Sequence, residues 1–581
     1  MMKNYRSLLI LTLYINLPYL YFSQKNDKIW IDGQGRSFFS SDSKINEEDT
    51  ISASNISSGY NLIDLNTHIT PFEKIEIFGQ VRIKNEFGSF FGSGTQIDVR
   101  QLRASGVIKN KVKFSVGDLF LKQNKFTLHN YNEELNFFEN NYNSSYKEIV
   151  DYENFYFENR WRLQGIQTNF SYKFDRFIRT LEFDFFTTRP RGSSQINSGS
   201  NTFISDMLIS GGSMVSKLNK SFSAELNYVL LKELPATGTV ERAIRNPVYQ
   251  IGINYNNKSE SSIINHKLQA GFSERNWSYK SVDDSTSELM QGMFAEFSSS
   301  YFKIDSTFSL NFGYRYVDPN FRSSGAQTRR IDMNETNVGT IYSLYSNNYL
   351  IRPISVFDIV TDPNIYNQNI SGTLMSFNPI FSNALPYGDA TPNRQGIFLD
   401  GSYSSKNKIF KINFKSSYFN EVIGQGTTQK RNFFTFLHSS NINLKEIFNH
   451  TKEFALSFST MNQITSREGD SLEIVNLNSQ HFNLLIEKEI LNKLFLQLSL
   501  KRFESTGNEY INKRNEYGEI FTFQLLDLTR VDNLYCYGIK YKYRENVYIN
   551  LQYNLWNSNF NNINSPDLNF QRFLFIFSVK L

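Results

Sequence analysis

The chain has 581 residues, with 61 Lys and Arg against 56 Asp and Glu; a net charge this small predicts no nucleic-acid partner. A single cysteine, Cys536, excludes an internal disulfide and a cysteine-based metal cluster, and with them a small disulfide-stapled secreted fold. Aromatic residues reach 15%, with 53 Phe and 33 Tyr, although hydrophobic residues total only 40%.

Met1-Met2-Lys3-Asn4-Tyr5-Arg6 precedes an apolar run from Leu8 to Phe22, and Ser23-Gln24 follow. A short basic region, an apolar core of roughly fifteen residues and a small residue before the polar switch predict a secretory signal cleaved near Ser23. Asn16 and Pro18 interrupt the run and argue against an anchor helix. Removing residues 1–23 takes Lys3 and Arg6 and leaves 59 basic against 56 acidic residues. Residues 24–581 are then expected to form one domain. No later stretch reaches the roughly 18 apolar residues that a membrane helix needs.

Alternation of apolar and polar residues begins early. Ile63, Leu65, Thr67 and Ile69 share one face and Asp64, Asn66 and His68 the other. After the turn Thr70-Pro71-Phe72-Glu73, Ile75, Ile77, Val81 and Ile83 oppose Glu76, Gln80, Arg82 and Lys84. Further tight polar turns fall at Lys109–Lys111, Asp175-Arg176, Leu218–Lys220, Asn256–Lys258, Asp305-Ser306, Lys406–Lys408, His450–Lys452, Leu491–Lys493 and Arg544–Asn546, rich in the Asn, Asp and Lys that short hairpins favour. Longer connections separate the pairs, at about 38–60, 88–95, 123–160, 187–203, 233–246, 274–288, 318–395, 423–431, 464–474, 504–529 and 557–569.

Short and long connections thus alternate, as in a transmembrane barrel with tight periplasmic turns and long extracellular loops. Two strands around each of ten tight turns, one near residues 28–38 and one at 570–581 give 22 strands, within a range of 18 to 24. Short strands inside the long connections, such as Phe521 to Leu525, read as hairpin extensions above the membrane. The last segment places Phe573, Phe575, Phe577, Val579 and Leu581 on one face, so it reads as the strand that seals the barrel against Ile29 to Phe38. Asp at outward Phe575 or Phe577 is expected to prevent assembly, and Asp at inward Leu574 or Ile576 to be better tolerated.

On these residues the chain resembles porin-type outer-membrane β-barrels of Gram-negative bacteria. Its Asn, Lys, Phe and Tyr usage and the signal ending Phe22-Ser23-Gln24 resemble the flavobacterial ones, although the terminal strand ends in Leu581 where that family usually has Phe. The resemblance implies an outer-membrane location, contact with lipid and with the barrel-folding machinery, and no cofactor. It also implies a test against plugged active transporters of similar width. A first strand at Ile29 leaves no room for a plug domain ahead of it.

Without a plug, a barrel this wide encloses water unless loops fold into it. The expected inward, pore-lining charges are Arg82, Lys84, Glu182, Asp184, Glu225 and Arg315, then Lys411, Lys415, Lys501, Lys540 and Lys542. Such charges bias which solutes pass, or simply solvate and pair across the wall. Lysines dominate near the chain end and predict a mild preference for anions. The connection 123–160 carries Glu133, Glu134, Glu139, Glu148, Asp151, Glu153 and Glu158, and 318–395 carries Arg322, Arg329, Arg330 and Arg352. Folded inward, the two would set acidic against basic charge across the pore; folded outward, they would form a lid or bind a protein or glycan partner.

Two function classes follow: a porin-like channel for small polar solutes with loops constricting the lumen, and a non-enzymatic barrel of a secretion, motility or glycan-handling assembly. An outer-membrane phospholipase is the remote alternative, on His438-Ser439-Ser440-Asn441. His438 would be general base and Ser440 nucleophile on a face that Phe434 and Phe436 turn toward lipid. The departures are the missing Gly after the Asn, the width of the barrel and a mid-strand position. No His-Glu-x-x-His, phosphate-loop or Gly-x-Ser-x-Gly pattern occurs, and His68, His129, His266, His438, His450 and His481 lack local metal-ligand spacing. No catalytic, metal or cofactor site is expected.

Overall fold

The computed structural model describes residues 28–46, 54–87, 94–129, 140–153, 162–175, 177–190, 207–233, 241–280, 285–323, 325–326, 384–385, 388–424, 427–514, 520–560 and 568–581. The first strands are β1 (Ile29–Asn46), β2 (Ser54–Phe72), β3 (Ile75–Glu86), β4 (Thr95–Ile108) and β5 (Val112–Phe120). Helix α1 (Ser144–Glu153) precedes β6 (Arg162–Lys173), β7 (Thr180–Pro190), β8 (Met207–Lys217) and β9 (Phe222–Glu233). Next come β10 (Glu241–Lys258), β11 (Ser262–Lys280), β12 (Ser285–Lys303), β13 (Phe308–Val317), β14 (Arg394–Ser404) and β15 (Phe410–Asn420). After β16 (Asn432–Asn443) and the short helix α2 (Leu444–Phe448) follow β17 (Phe454–Arg467), β18 (Val475–Leu491) and β19 (Leu494–Arg514). The chain closes with β20 (Ile520–Arg544), β21 (Val547–Phe560) and β22 (Leu568–Lys580).

These 22 strands form one sheet in which each pairs antiparallel with the next in sequence and β22 pairs with β1. The ring is therefore closed, a transmembrane-type antiparallel β-barrel. Closure satisfies every edge, which is the condition for strands to cross lipid. The two faces follow from period-two alternation. Ile63, Ile83, Ile97, Leu226, Ile251 and Tyr537 are exposed although apolar, while their neighbours Asp64, Arg82, Asn227 and Gln250 are buried. An apolar outside over a polar inside is the reverse of a water-soluble core and matches a wall between lipid and lumen.

Each of the ten tight turns expected from the sequence has its counterpart between two strands, from Glu73-Lys74 between β2 and β3 to Glu545-Asn546 between β20 and β21. The one expected at Asn256–Lys258 lies slightly later, at residues 259–261, because β10 runs on through Lys258. Lys109, Asn110, Ser306, Lys408 and Lys493 adopt positive φ in these turns, between 47° and 64°. The turn at His450–Lys452 is longer than a simple hairpin, because α2 fills it and Asn449 ends that helix at φ 52°.

Three expectations need correction. Several long connections are shorter than their composition suggests: only residues 47–53, 281–284 and 515–519 lie between β1 and β2, β11 and β12, and β19 and β20. The pairing simply continues past the membrane. β20 has 25 residues, against the roughly 9–11 that cross a bilayer, and Phe521 to Leu525 belong to it. Secondly, the seam is shifted: β22 pairs with Gln34–Asn46 rather than with Ile29–Phe38, and Leu581 N donates to Gly33 O at its end.

Thirdly, inward Leu574 and Ile576 do not face water. They are 2% and 0% exposed and pack with Phe38 of β1 against Tyr146 and Ile149 of α1. The helix lies inside the barrel, on the inner side of β1 and β22. Asp at either position would lose that packing and bury a carboxylate, so its cost falls on the seating of α1 rather than on the lipid-facing wall.

Candidate functional site

Among the described residues, most of the buried charge lies on the inner wall, and three inward segments meet it. The first is the stretch Leu121–His129 that follows β5. Phe126 stacks on Phe294 of β12 at 4.0 Å between ring centroids, and Asn124 Nδ2 donates to Gln269 Oε1 at 2.7 Å. The second runs Asn140-Asn141-Tyr142-Asn143 into α1. Asn140 donates to Asn483 (2.5 Å) and Ser499 (2.9 Å), and Gln552 donates to Tyr142 O at 2.6 Å. The third is the pair of stretches 318–323 and 388–393 flanking residues 327–383.

Where α1 ends, Tyr152 reaches a cluster on β2 to β4. Its hydroxyl donates to Asp64 Oδ2 at 2.5 Å and accepts from Gln80 at 3.1 Å. Asp64 also binds Arg82 through two bonds of 2.7 Å, and Arg100 at 3.3 Å. The guanidinium groups of Arg36, Arg82 and Arg100 lie 5.5, 5.8 and 4.9 Å from the Tyr152 ring centre. Burial first, and then the Asp64 carboxylate, holds the Tyr152 phenol well above its usual range. Arg100 joins through a β-bulge: β3 pairs Gln80 with Gln101 and Val81 with Val99, so Arg100 is the extra residue and both it and Gln101 are buried.

A second cluster ties the long connections to the wall. Arg315 of β13 bonds Glu296 of β12 at 2.6 Å and Asp389 at 2.7 Å, and Lys125 bonds the same two carboxylates at 2.6 and 3.3 Å. Two cations and two carboxylates alternate, with the Arg315 guanidinium 5.0 Å from the Phe398 ring centre. Burial alone would raise the Asp389 carboxyl, but Arg315, Lys125 and Lys415 hold it well below the usual carboxylate range. Ser323 Oγ donates to Thr127 O at 3.2 Å and His129 N to Gly325 O at 2.9 Å, so the two connections also touch through backbone.

The signs at this meeting reverse the expectation. The 123–160 connection contributes a cation, Lys125, and the 318–395 connection a carboxylate, Asp389. Arg322 turns back onto its own segment, donating to Pro319 O and Phe321 O at 2.9 Å. Glu133, Glu134, Glu139, Glu158, Arg329, Arg330 and Arg352 lie outside the described residues.

The eleven charges singled out in the sequence all fall on the inward parity of their strands, but they do not form one site. Arg82 and Arg315 belong to the two clusters above. Lys84 pairs with Glu86 at 2.9 Å, Glu182 with Lys217 at 2.5 Å and Glu225 with Lys267 at 2.9 Å. Asp184 accepts from Gln167 at 2.9 Å. Lys415 stands opposite Asp400 in register, and Lys411 is exposed toward the turn after β14. Lys540 donates to Ser145 of α1 at 3.2 Å, Lys542 lies 4.3 Å from the Phe495 ring centre, and Lys501 is fully buried. Arg36, Arg100, Lys125, Glu296 and Asp389 escape notice in the sequence. Alternation could have flagged Arg36 and Glu296; the bulge conceals Arg100, and no local pattern marks the two loop residues.

His438 and Ser440 share the outward face of β16, with Ser440 Oγ 2.9 Å from His438 Nε2. The pair sits mid-strand beside Phe458, 5.8 Å away between ring centres. No third group orients the imidazole among the described residues, so the geometry stops short of a nucleophile with an oriented base. No group of three potential metal ligands occurs among the described residues.

No protein-family model matches the chain, and no curated protein matches it in sequence. Solved structures do. OccK3 (OpdO) of Pseudomonas aeruginosa is 8% identical, with a TM-score of 0.34 over 97% of this chain and 99% of that one. A loop-deletion mutant of OmpT, an outer membrane protein of Vibrio cholerae, is 8% identical, with a TM-score of 0.25 over 95% and 100%. The translocation pore of the P pilus usher PapC is 7% identical, with a TM-score of 0.32 over 94% and 100%. These superpositions are loose, and the barrel stands on its own closed strand register.

Proposed function

We propose that the protein is an outer-membrane channel of porin type for small polar solutes, with the connections after β5 and β13 narrowing its lumen. The observation that carries this reading is a closed wall, apolar outside and charged inside, against which α1 and the Lys125–Asp389 contact are packed. Arg36, Arg82 and Arg100 gather around the Tyr152 ring beside one carboxylate, Asp64, and Lys540 and Lys542 lie on the inner face of β20, so anions should pass more readily than cations. The long connections would lie outside the cell and the tight turns in the periplasm. The test is conductance of the full chain in planar bilayers, compared with a chain lacking residues 318–395. A stable pore whose conductance rises on deletion supports the reading; no conductance from either chain rejects it.

A second reading has its own observation. The lumen holds buried apolar clusters, Phe126 with Phe294 and Phe321, and Tyr142 with Phe503 and Trp556, which is more packing than positioning a loop requires. A closed, non-enzymatic barrel in a secretion, motility or glycan-handling assembly would have such an interior. It predicts silence in the bilayer and a specific partner that co-purifies with the intact chain.

A further inference from the structure

The outer face of β6 to β11 is not a uniform apolar wall. A groove of about 1110 Å³ opens on it, lined by Phe183, Phe185, Met214, Tyr228, Tyr249 and Phe272 among others. Register explains the groove. Phe185, Gly212, Tyr228, Tyr249 and Phe272 are successive partners across β7 to β11, so a glycine interrupts an aromatic row. A Cβ on Gly212 would lie 2.6 Å from both Asp184 O and a Phe185 ring carbon, so the gap cannot hold a side chain without a shift.

Toward the long connections, the same outward parity turns basic. Arg189 of β7, Lys232 of β9 and Arg245 of β10 are all exposed. Lys232 is the partner of both Leu208 and Arg245. Arg189 follows the pair Thr188↔Ile209 and so stands beside Leu208. The three cations therefore share one row across β7 to β10, about 13 Å along the strands from Gly212 at roughly 3.3 Å per residue. The half-thickness of a hydrocarbon core is about 15 Å. With strands tilted about 40°, that is roughly 10 Å along the membrane normal, and the long Arg and Lys side chains span the remaining distance of about 5 Å to the headgroups when the groove lies near mid-bilayer. Two carboxylates lie near the row: Asp118, farther along it, accepts from Leu102 N and Gln164, and Glu274 accepts from Gln291.

We propose that this face binds an anionic, phosphorylated lipid of the outer leaflet, its phosphate on the Arg189–Lys232–Arg245 row and an acyl chain in the groove below. Such binding rests on the orientation proposed above, with the long connections outside, but not on the conduction of solute. Snorkelling of lone cations to any headgroup explains the charges but not their alignment over an apolar groove.

The experiment is native mass spectrometry of the full chain in uncharged detergent, with lipid A, phosphatidylcholine or inorganic phosphate as probes. The expected result is retention of lipid A about tenfold or more above phosphatidylcholine, and loss of that preference in Lys232→Glu/Arg245→Glu, as attraction of surface cations to anionic lipid requires. Lys232→Gln/Arg245→Gln should lose part of it, which guards against a folding defect in the reversal. Ala270→Trp, which fills the groove, should weaken lipid A and leave the bilayer conductance of the wild type. Equal retention of both lipids, full competition by inorganic phosphate, or unchanged lipid A binding in the charge variants would overturn the proposal. So would a dimer that Ala270→Trp dissociates, since a second copy would then occupy the groove.

Discussion

Replacing Asp389 with Asn removes the carboxylate that joins the 318–395 connection to Arg315 and Lys125, and nearly preserves its shape. Arg315 is 3% exposed, so its charge cannot be recovered by water. Breaking a buried ion pair from one side costs about 3–5 kcal/mol. The lower end applies, because Glu296 still serves both cations and Lys125 is 25% exposed. At about 1.4 kcal/mol per tenfold, roughly 3 kcal/mol means opening of the segment about a hundredfold more often. Hydrogen exchange reads this directly. Thr391 N donates to Gly388 O and Asn393 N to Asp318 O, so both amides report on the segment. Their exchange should accelerate about a hundredfold, while amides of β12 and β13 stay protected. Rates unchanged within about threefold would show that backbone ties alone hold the segment and that the four-charge cluster is incidental.

The same cluster fixes a pH response. The Asp389 carboxyl is held below its usual value, so its stabilising contribution is full above the unfolded value near 4 and is lost only as pH falls through the lower folded value. Exchange at Thr391 and Asn393, corrected for intrinsic rate, should therefore match at pH 7 and pH 4; marked loosening by pH 4 contradicts the assignment. Tyr152→Phe deletes the bond to Asp64 and should loosen α1 by about 1 kcal/mol, visible as faster α1 exchange with barrel strands unaffected. Phe575→Asp should block assembly in a heat-modifiability gel, since it puts a carboxylate against lipid. Ile576→Asp should yield a barrel in which protease reaches α1, and a protected α1 would mean that the helix is held elsewhere.

Much of the wall was legible because it is local. Apolar and polar residues alternate with period two, and each tight turn sits between strands adjacent in sequence, so Ile75 to Lys84 reveal their faces without any partner. Loop lengths misled because the pairing of Asn508–Arg514 with Ile520–Asp527 runs backbone to backbone, which needs no lipid around it. Inward apolar residues such as Phe38, Leu574 and Ile576 are a different failure. Their cover is α1, hundreds of residues from β22 in the chain, and nothing near them names it. The Lys125–Asp389 contact is hidden for the same reason, and Lys125 stands against the net acidic charge of the connection that carries it.

The position of α1 has a consequence for how the ring stays shut. Every wall pairing but one joins neighbours in sequence; β1 with β22 alone joins the two ends of the ring and closes the longest loop. Tyr146 and Ile149 rest on Phe38 from one side of that joint and on Leu574 and Ile576 from the other. The helix acts as an internal clasp across the line where the cylinder closes. If the protein is the channel proposed above, narrowing the lumen and keeping the cylinder closed become one task, and a chain relieved of α1 would gain width only by loosening its joint.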